Sequence, residues 1–207
     1  PAGENKVLYA GVFSGERTAG RGGVGAVFGD KNLKVVTAKG SKNPEIYDQE
    51  RLDFLNDQWK MQLLRHPITG AQLSKLGTAG LVAPMQAHRI LATKNFGDGR
   101  FENFEKVSGE ELREKYLVGN GNCYSCPMRC ERRVKVDGKN VKGPELETLG
   151  LLGPNIMNDD LEKILRWNYE LDELGMDTIS CAGSIAFAME LNEKGMWDCG
   201  LEFGKTD

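Results

Sequence analysis

The stretch Gly121-Asn-Cys123-Tyr-Ser-Cys126-Pro-Met-Arg-Cys130 places three of the chain's five cysteines at C-x2-C-x3-C spacing. The two-residue gap lets neighbouring thiolates turn inward on one tight loop, and the three-residue gap returns a third to the same side. Three convergent thiolates with a fourth ligand from elsewhere is how a cubane iron–sulfur cluster is held. Zinc would need a fourth ligand too, and no second Cys or His pair follows at the usual distance. Disulfides would leave one of the three cysteines over and suit a small secreted domain rather than a chain of this length. Three inert buried cysteines would make the spacing a coincidence. The spacing favours the iron–sulfur reading.

Three other stretches carry groups that could do chemistry. In Ser14-Gly-Glu-Arg17-Thr18-Ala-Gly20-Arg21-Gly-Gly-Val-Gly25, two guanidiniums sit four residues apart on a glycine-dense backbone. Exposed backbone N–H groups and arginines suit phosphate or another anion. A hairpin corner with two solvated arginines accounts for the same residues, since glycine clusters commonly form turns. The pattern is neither a P-loop nor a well-placed dinucleotide fingerprint. In Gly143-Pro-Glu145-Leu-Glu147-Thr-Leu-Gly150, a carboxylate between apolar residues is a candidate general base if desolvation raises its pKa. An ordinary surface loop is the plainer reading, because charged residues usually stay solvated. In Asp172-Glu-Leu-Gly175-Met176-Asp177-Thr178, two carboxylates flank a helix–glycine–helix junction. Facing one pocket, they would accept paired hydrogen bonds from a planar ligand with an amino group beside a ring N–H. The simpler account is that Asp177 caps a helix and Asp172 is solvated. His66 and His88 lack partners at ligand spacing, and Cys181 and Cys199 read as small apolar fillers.

The elements that must position these groups divide the chain in two. Residues 1–42 read as β-rich, with strands at Lys6 to Phe13 and Leu33 to Ala38 around the glycine turn. Residues 43–207 read as mainly helical. A helix opens at Pro44 and carries Leu52, Leu55, Trp59 and Leu63 until His66-Pro67 stops it. A second spans Ala71 to Leu76, closed by Gly77, and Ala83 to Gly99 reads as irregular. Ser108 with Glu111 forms a capping box for a helix that runs through Tyr116 to the cysteine loop. Arg133 to Val141 reads as a hairpin around Asp137-Gly138. Asn158 is expected to cap the next helix, ended by Gly175 at the C′ position, and Asp177 or Thr178 the last one. The fold class predicted is α+β, a short β-rich segment followed by a mainly α-helical domain.

The chain has 207 residues and a net charge of −3, without a basic stripe, which argues against nucleic acid as the partner. No run of 18 apolar residues and no signal peptide occur, so the expectation is no membrane span. Unpaired cysteines point to a reducing, cytoplasmic setting. The opening Pro1-Ala-Gly-Glu-Asn5 lacks an initiator methionine, and the chain is expected to be a piece of a longer protein.

The four stretches, in this order, resemble the tungsten-containing aldehyde:ferredoxin oxidoreductases, as do the linking phrases Gly29-Asp-Lys-Asn-Leu-Lys34 and Leu151-Leu-Gly-Pro-Asn155. The resemblance implies that residues 1–42 are the end of a β-sheet pterin-binding domain. It implies a metal held by two pyranopterins, tungsten or alternatively molybdenum, with magnesium at the pterin phosphates, beside a [4Fe–4S] cluster. Cys123, Cys126 and Cys130 match three cluster ligands; the fourth cysteine and a catalytic histidine would lie outside these residues. Arg17, Thr18, Gly20 and Arg21 match the turn that contacts the pterin and its phosphate. Asp172, Met176 and Asp177 match a pterin-binding motif, with methionine in place of leucine, a swap that conserves volume. Glu147 matches the acidic residue beside the metal, a proton acceptor. The implied activity is oxidation of aldehydes to carboxylic acids with ferredoxin as acceptor, in a homo-oligomeric enzyme of which this stretch alone would be inactive. Two alternatives stand beside it, a benzoyl-CoA reductase-type catalytic subunit and a non-catalytic iron–sulfur or zinc module.

Overall fold

A computed structural model describes residues 1–206 and has the α+β architecture. The N-terminal hairpin pairs β1 (Val12–Ser14) antiparallel with β2 (Arg17–Ala19). A short helix α1 (Val24–Asp30) follows where the sequence suggested a continuing turn. The strand expected over Lys6 to Phe13 is broken by a turn, closed where Ala10 N–H donates to the Val7 carbonyl at 2.9 Å. The backbone of residues 9–11 finds its partners elsewhere. Gly11 N–H donates to the Gly175 carbonyl at 3.0 Å, Asp177 N–H to the Tyr9 carbonyl at 3.0 Å, and Ala10 forms an antiparallel bridge with Met176. Leu33 to Ala38, expected as a strand, is exposed and has no strand partner among the described residues, and an unpaired alternating segment does not by itself make a strand.

Helix α2 (Gln49–Arg65) begins later than Pro44, since Asp48 supplies the cap by accepting from Arg51 N–H at 2.9 Å. None of its residues is buried, so the predicted stripe of Leu52, Leu55 and Trp59 is exposed. His66-Pro67 does stop it. A π-helical turn (Pro67–Gln72) leads into α3 (Leu73–Leu76), closed by Gly77 at φ 67°. The stretch expected to be irregular contains α4 (Val82–Ala87). Ser108 caps α5 (Gly109–Lys115) as predicted, its Oγ accepting from Glu111 N–H at 3.2 Å. The Glu111 carboxylate does not reach back but pairs with Lys115 at 2.5 Å.

The helix stops before the cysteines. A strand, β3 (Leu117–Gly121), intervenes and pairs with β4 (Glu131–Val136), which pairs with β5 (Lys139–Lys142). Asp137 and Gly138, at φ 48° and 81°, make the tight turn that Asp-Gly predicts. The stretch around Glu147 is helical, not a loop: α6 (Leu146–Leu152) buries its Thr148–Leu152 face. Helix α7 (Leu161–Leu174) is capped by Asp160, which accepts from Lys163 N–H at 3.1 Å. Asn158, expected as the cap, is buried two residues earlier and ties the Leu152 carbonyl to Asp160 N–H, each at 3.0 Å. Gly175 closes α7 at φ 80°, and Asp177 caps α8 (Thr178–Glu193).

The core joins β4 to α5, α6, α7 and α8 through Val134, Leu112, Leu149, Leu152, Ile164 and Ala182. No helix among the described residues is long and apolar enough to cross a membrane. Leu149 is fully buried, so Leu149→Ala is expected to cost about 2–5 kcal/mol. Leu55→Ala on the exposed α2 should shift stability by no more than about 0.5 kcal/mol. The denaturant midpoints of the two variants check the contrast.

Candidate functional site

The α7–α8 junction positions the acidic pair. Gly175 reverses the chain in the left-handed region, so Asp172 on the last turn of α7 and Asp177 at the start of α8 border one cleft. Asp177 is 7% exposed; its Oδ2 accepts from Ser180 N–H at 3.0 Å and from Ser180 Oγ at 2.5 Å. Asp172 is half-buried and its carboxyl has no hydrogen-bond partner among the described residues. Burial raises its pKa, opposed by Lys142 and reinforced by Glu173 and Glu16.

The cleft has a volume of about 170 Å³, and its walls include Thr18, Glu145, Glu147, Asp172, Met176 and Asp177. Five of the residues singled out from sequence therefore meet around it, drawn from β2, α6 and the α7–α8 junction. Gly20 approaches closely, since a Cβ there would stand 3.5 Å from Asp177 Oδ1. Arg21 is exposed, its Nε 4.0 Å from Asp177 Oδ2. Arg17 does not line the cleft. Its guanidinium is drawn to the buried Glu131, Nη2 to Oε2 at 2.6 Å. Glu147 is exposed at the cleft's edge, in the first turn of α6, where a carboxylate suits the helix dipole. Thr148 and Thr178, with hydroxyls 2.8 Å apart, join α6 to α8 behind it.

The cysteines occupy the loop between β3 and β4. Cys126 N–H donates to the Cys123 carbonyl at 3.0 Å, a tight turn, and Ser125 and Arg129 are left-handed at φ 56° and 51°. Cys123 is exposed, whereas Cys126 and Cys130 are half-buried. Burial pushes the Cys130 thiol up, and the nearby Glu145, Cys126 and Cys123 add to this. Among the described residues, no three His, Cys, Asp or Glu side chains stand close enough together to share a metal ion. The loop is strapped from below by Arg132, 2% exposed, which donates to the carbonyls of Arg129 at 2.5 Å, Lys75 at 2.9 Å and Ser74 at 3.3 Å. Desolvation lowers the pKa of this guanidinium. Ser74 Oγ donates to the Met128 carbonyl at 2.8 Å, a second strap from α3.

Two carboxylates escaped the sequence reading. Glu145, at the start of α6, accepts from Thr78 Oγ1 at 2.5 Å, and Thr78 in turn accepts from Leu146 N–H at 3.0 Å. Glu131 follows Cys130 directly and is 3% exposed. The hairpin read from the sequence opens at Arg133, so no local signal marked Glu131. Cys181, read as an apolar filler, interacts with the Tyr9 hydroxyl, and burial raises the pKa of both.

The cleft is thus walled by the acidic helix junction, by α6 and by Thr18 of the arginine–glycine turn. Residues 1–40 match the family described as "Aldehyde ferredoxin oxidoreductase, N-terminal domain", and residues 55–207 match "Aldehyde ferredoxin oxidoreductase, domains 2 & 3". The tungsten-containing aldehyde ferredoxin oxidoreductase of Thermococcus kodakarensis is 43% identical over 197 residues, covering 94% of this chain and 33% of that protein. That of Pyrococcus furiosus is 43% identical over 198 residues, with the same coverage. A Pyrococcus furiosus aliphatic sulfonate oxidoreductase, WOR-like subunit, is 32% identical over 99% of this chain and 34% of its own length. Among solved structures, the active site complex BamBC of benzoyl coenzyme A reductase with 1,5-dienoyl-CoA superposes at TM-score 0.71 and 28% identity. It covers 95% of this chain and 32% of that one. The chain belongs to the aldehyde ferredoxin oxidoreductase family and spans about a third of the length of these curated relatives.

Because the folded state raises the Asp172 pKa, the native protein binds more protons than the unfolded one above the ordinary value of 3.8, and stability falls as pH rises through the folded pKa. Asp172→Asn is therefore expected to raise the melting temperature of cofactor-free protein at pH 7. The gain should vanish below the ordinary carboxylate range, where both states are protonated. A gain independent of pH would contradict the desolvation account.

Proposed function

We propose that this chain is the part of a tungsten- or molybdenum-pterin oxidoreductase that oxidises aldehydes to carboxylic acids and passes electrons through a [4Fe–4S] cluster to ferredoxin. The observation that carries the reading is the cleft itself, where Thr18, Glu147, Asp172, Met176 and Asp177 converge from three separate elements. The donors present fit the cofactor. Asp172 offers a half-buried carboxyl without a partner among the described residues, suited to the N–H groups of a planar pterin ring. Asp177 keeps its Oδ1 toward Gly20, on the turn whose backbone and Arg21 suit a phosphate with its magnesium. Three thiols in order on one loop fit an iron–sulfur cluster in donor type.

The cofactor, when bound, supplies the two-electron redox chemistry, and the protein contributes binding, orientation and proton transfer. Asp172 and Asp177 orient the ring by accepting its N–H groups. Glu147, in the first turn of α6, is held by that helix at the cleft's edge, where its carboxylate takes the proton released as the aldehyde is oxidised. Arg132 ties the cysteine loop, through the Arg129 carbonyl, to the Ser74 and Lys75 carbonyls of α3, so that the thiols keep their place. A second reading, dearomatising reduction of a benzoyl thioester, has the benzoyl-CoA reductase likeness in its favour. The higher identity to the aldehyde enzymes favours the first.

In the full-length protein purified without oxygen, tungsten or molybdenum near one per chain is expected together with iron. Zinc, or iron alone, would overturn the proposal. Glu147→Gln should leave metal content unchanged and depress aldehyde oxidation by about 10²- to 10⁴-fold, the usual loss for a positioned proton acceptor. Unchanged turnover would remove Glu147 from that role. Turnover of benzoyl-CoA in place of aldehydes would establish the second reading.

A further inference from the structure

Between the arginine turn and the cysteine loop lies a chain of four charges that neither the cofactor nor the core explains. The hairpin tip contributes Glu16 and Arg17, and β4 contributes Glu131 and Arg133. Arg17 Nη2 meets Glu131 Oε2 at 2.6 Å. The other oxygen, Oε1, lies 3.2 Å from Arg133 Nη2 without hydrogen-bond geometry, and Arg133 forks onto both carboxylate oxygens of Glu16. Glu131 is 3% exposed, while the Arg17 side chain keeps 45% of its surface open.

A carboxylate so deeply buried is an expensive way to gain stability, because desolvation consumes much of the Coulomb energy. What the pair does provide is position. Arg17 is long and flexible, and a charge-assisted bond to a fixed carboxylate confines its guanidinium. The slot for that carboxylate is built by the sheet. Gly121 on β3 sits directly across from Glu131 on β4, and a Cβ at Gly121 would fall 2.0 Å from Glu131 Oε1. Glu131 is also the next residue after Cys130, so the same backbone carries the last thiol of the loop and the anchor of the arginine turn.

We propose that Glu131 is a positioning residue that sets the place of Arg17, and so couples the cysteine loop to the turn that receives the cofactor's phosphate. The inference rests on the pterin reading above for the identity of that phosphate. Glu131 reaches the cofactor only through Arg17.

The test uses full-length protein purified without oxygen, and the readout is the rate of pterin release, followed by the fluorescence of the freed and oxidised pterin. Glu131→Gln, which keeps the shape and removes the charge, should release pterin about 10- to 100-fold faster, the range for losing a partner that orients a ligand-holding group. Gly121→Ala should do the same by displacing the carboxylate, and Glu131→Asp should recover part of the retention. Combining Glu131→Gln with Arg17→Gln should release pterin no faster than Arg17→Gln alone. A wild-type release rate in Glu131→Gln, or rates that simply multiply in the double variant, overturns the proposal and leaves the pterin reading intact. Wild-type protein that carries no pterin overturns both.

Discussion

Two backbone hydrogen bonds hold the cleft together, those from Gly11 to the Gly175 carbonyl and from Asp177 to the Tyr9 carbonyl. They fasten the N-terminal segment to the α7–α8 junction and bring the arginine–glycine turn over the acidic pair. Their geometry depends on Gly175, which must be left-handed for α7 to end and α8 to begin within three residues. It depends also on Gly25, whose missing Cβ would otherwise lie 2.4 Å from the Gly11 carbonyl oxygen and push α1 off the segment it covers. Everything that Thr18, Gly20 and Arg21 can do toward a ligand in the cleft follows from that seam.

The second organising force is buried charge used as a strap. Arg132 spends its guanidinium on three main-chain carbonyls beneath the cysteine loop, and Glu131, its neighbour, holds Arg17 on the other side of the strand. Successive residues of β4 point to opposite faces, so one strand serves the loop on one face and the turn on the other. Such straps suit loops that carry ligand donors, because they fix direction as well as distance, which apolar packing does not. The apolar core lies behind, where α6, α7 and α8 meet β4 through fully buried side chains such as Leu149 and Ile164.

Within the cleft, the two aspartates are not equivalent. Asp177 is satisfied as a helix cap, with both Ser180 donors on one oxygen, whereas Asp172 is half-buried with no hydrogen-bond partner among the described residues and its pKa is raised. An unpaired, partly desolvated carboxyl is a cost to the folded chain alone, and a ligand that donates to it removes that cost. The simple reading of the motif, Asp177 as a cap and Asp172 as solvated, holds for the first residue and not for the second.

What the sequence determined by itself is what depends on neighbours a few residues away. The Ser108 and Asp177 caps, the Gly77 and Gly175 stops and the Asp137-Gly138 turn all form where local chemistry demands. The family resemblance came from the same kind of information, ordered motifs. The tertiary structure alone decided where backbone groups with no local partner would go. It took residues 9–11 out of any strand and onto a helix junction, left 33–38 without a strand partner among the described residues, moved the α7 cap from Asn158 to Asp160, and turned the Glu147 stretch into a helix. It also chose to bury Glu131 and to draw Arg17 to it rather than into the cleft. The reason is physical: a strand or a buried charge exists only by virtue of a partner distant in the chain, and local spacing carries no record of which partner that is.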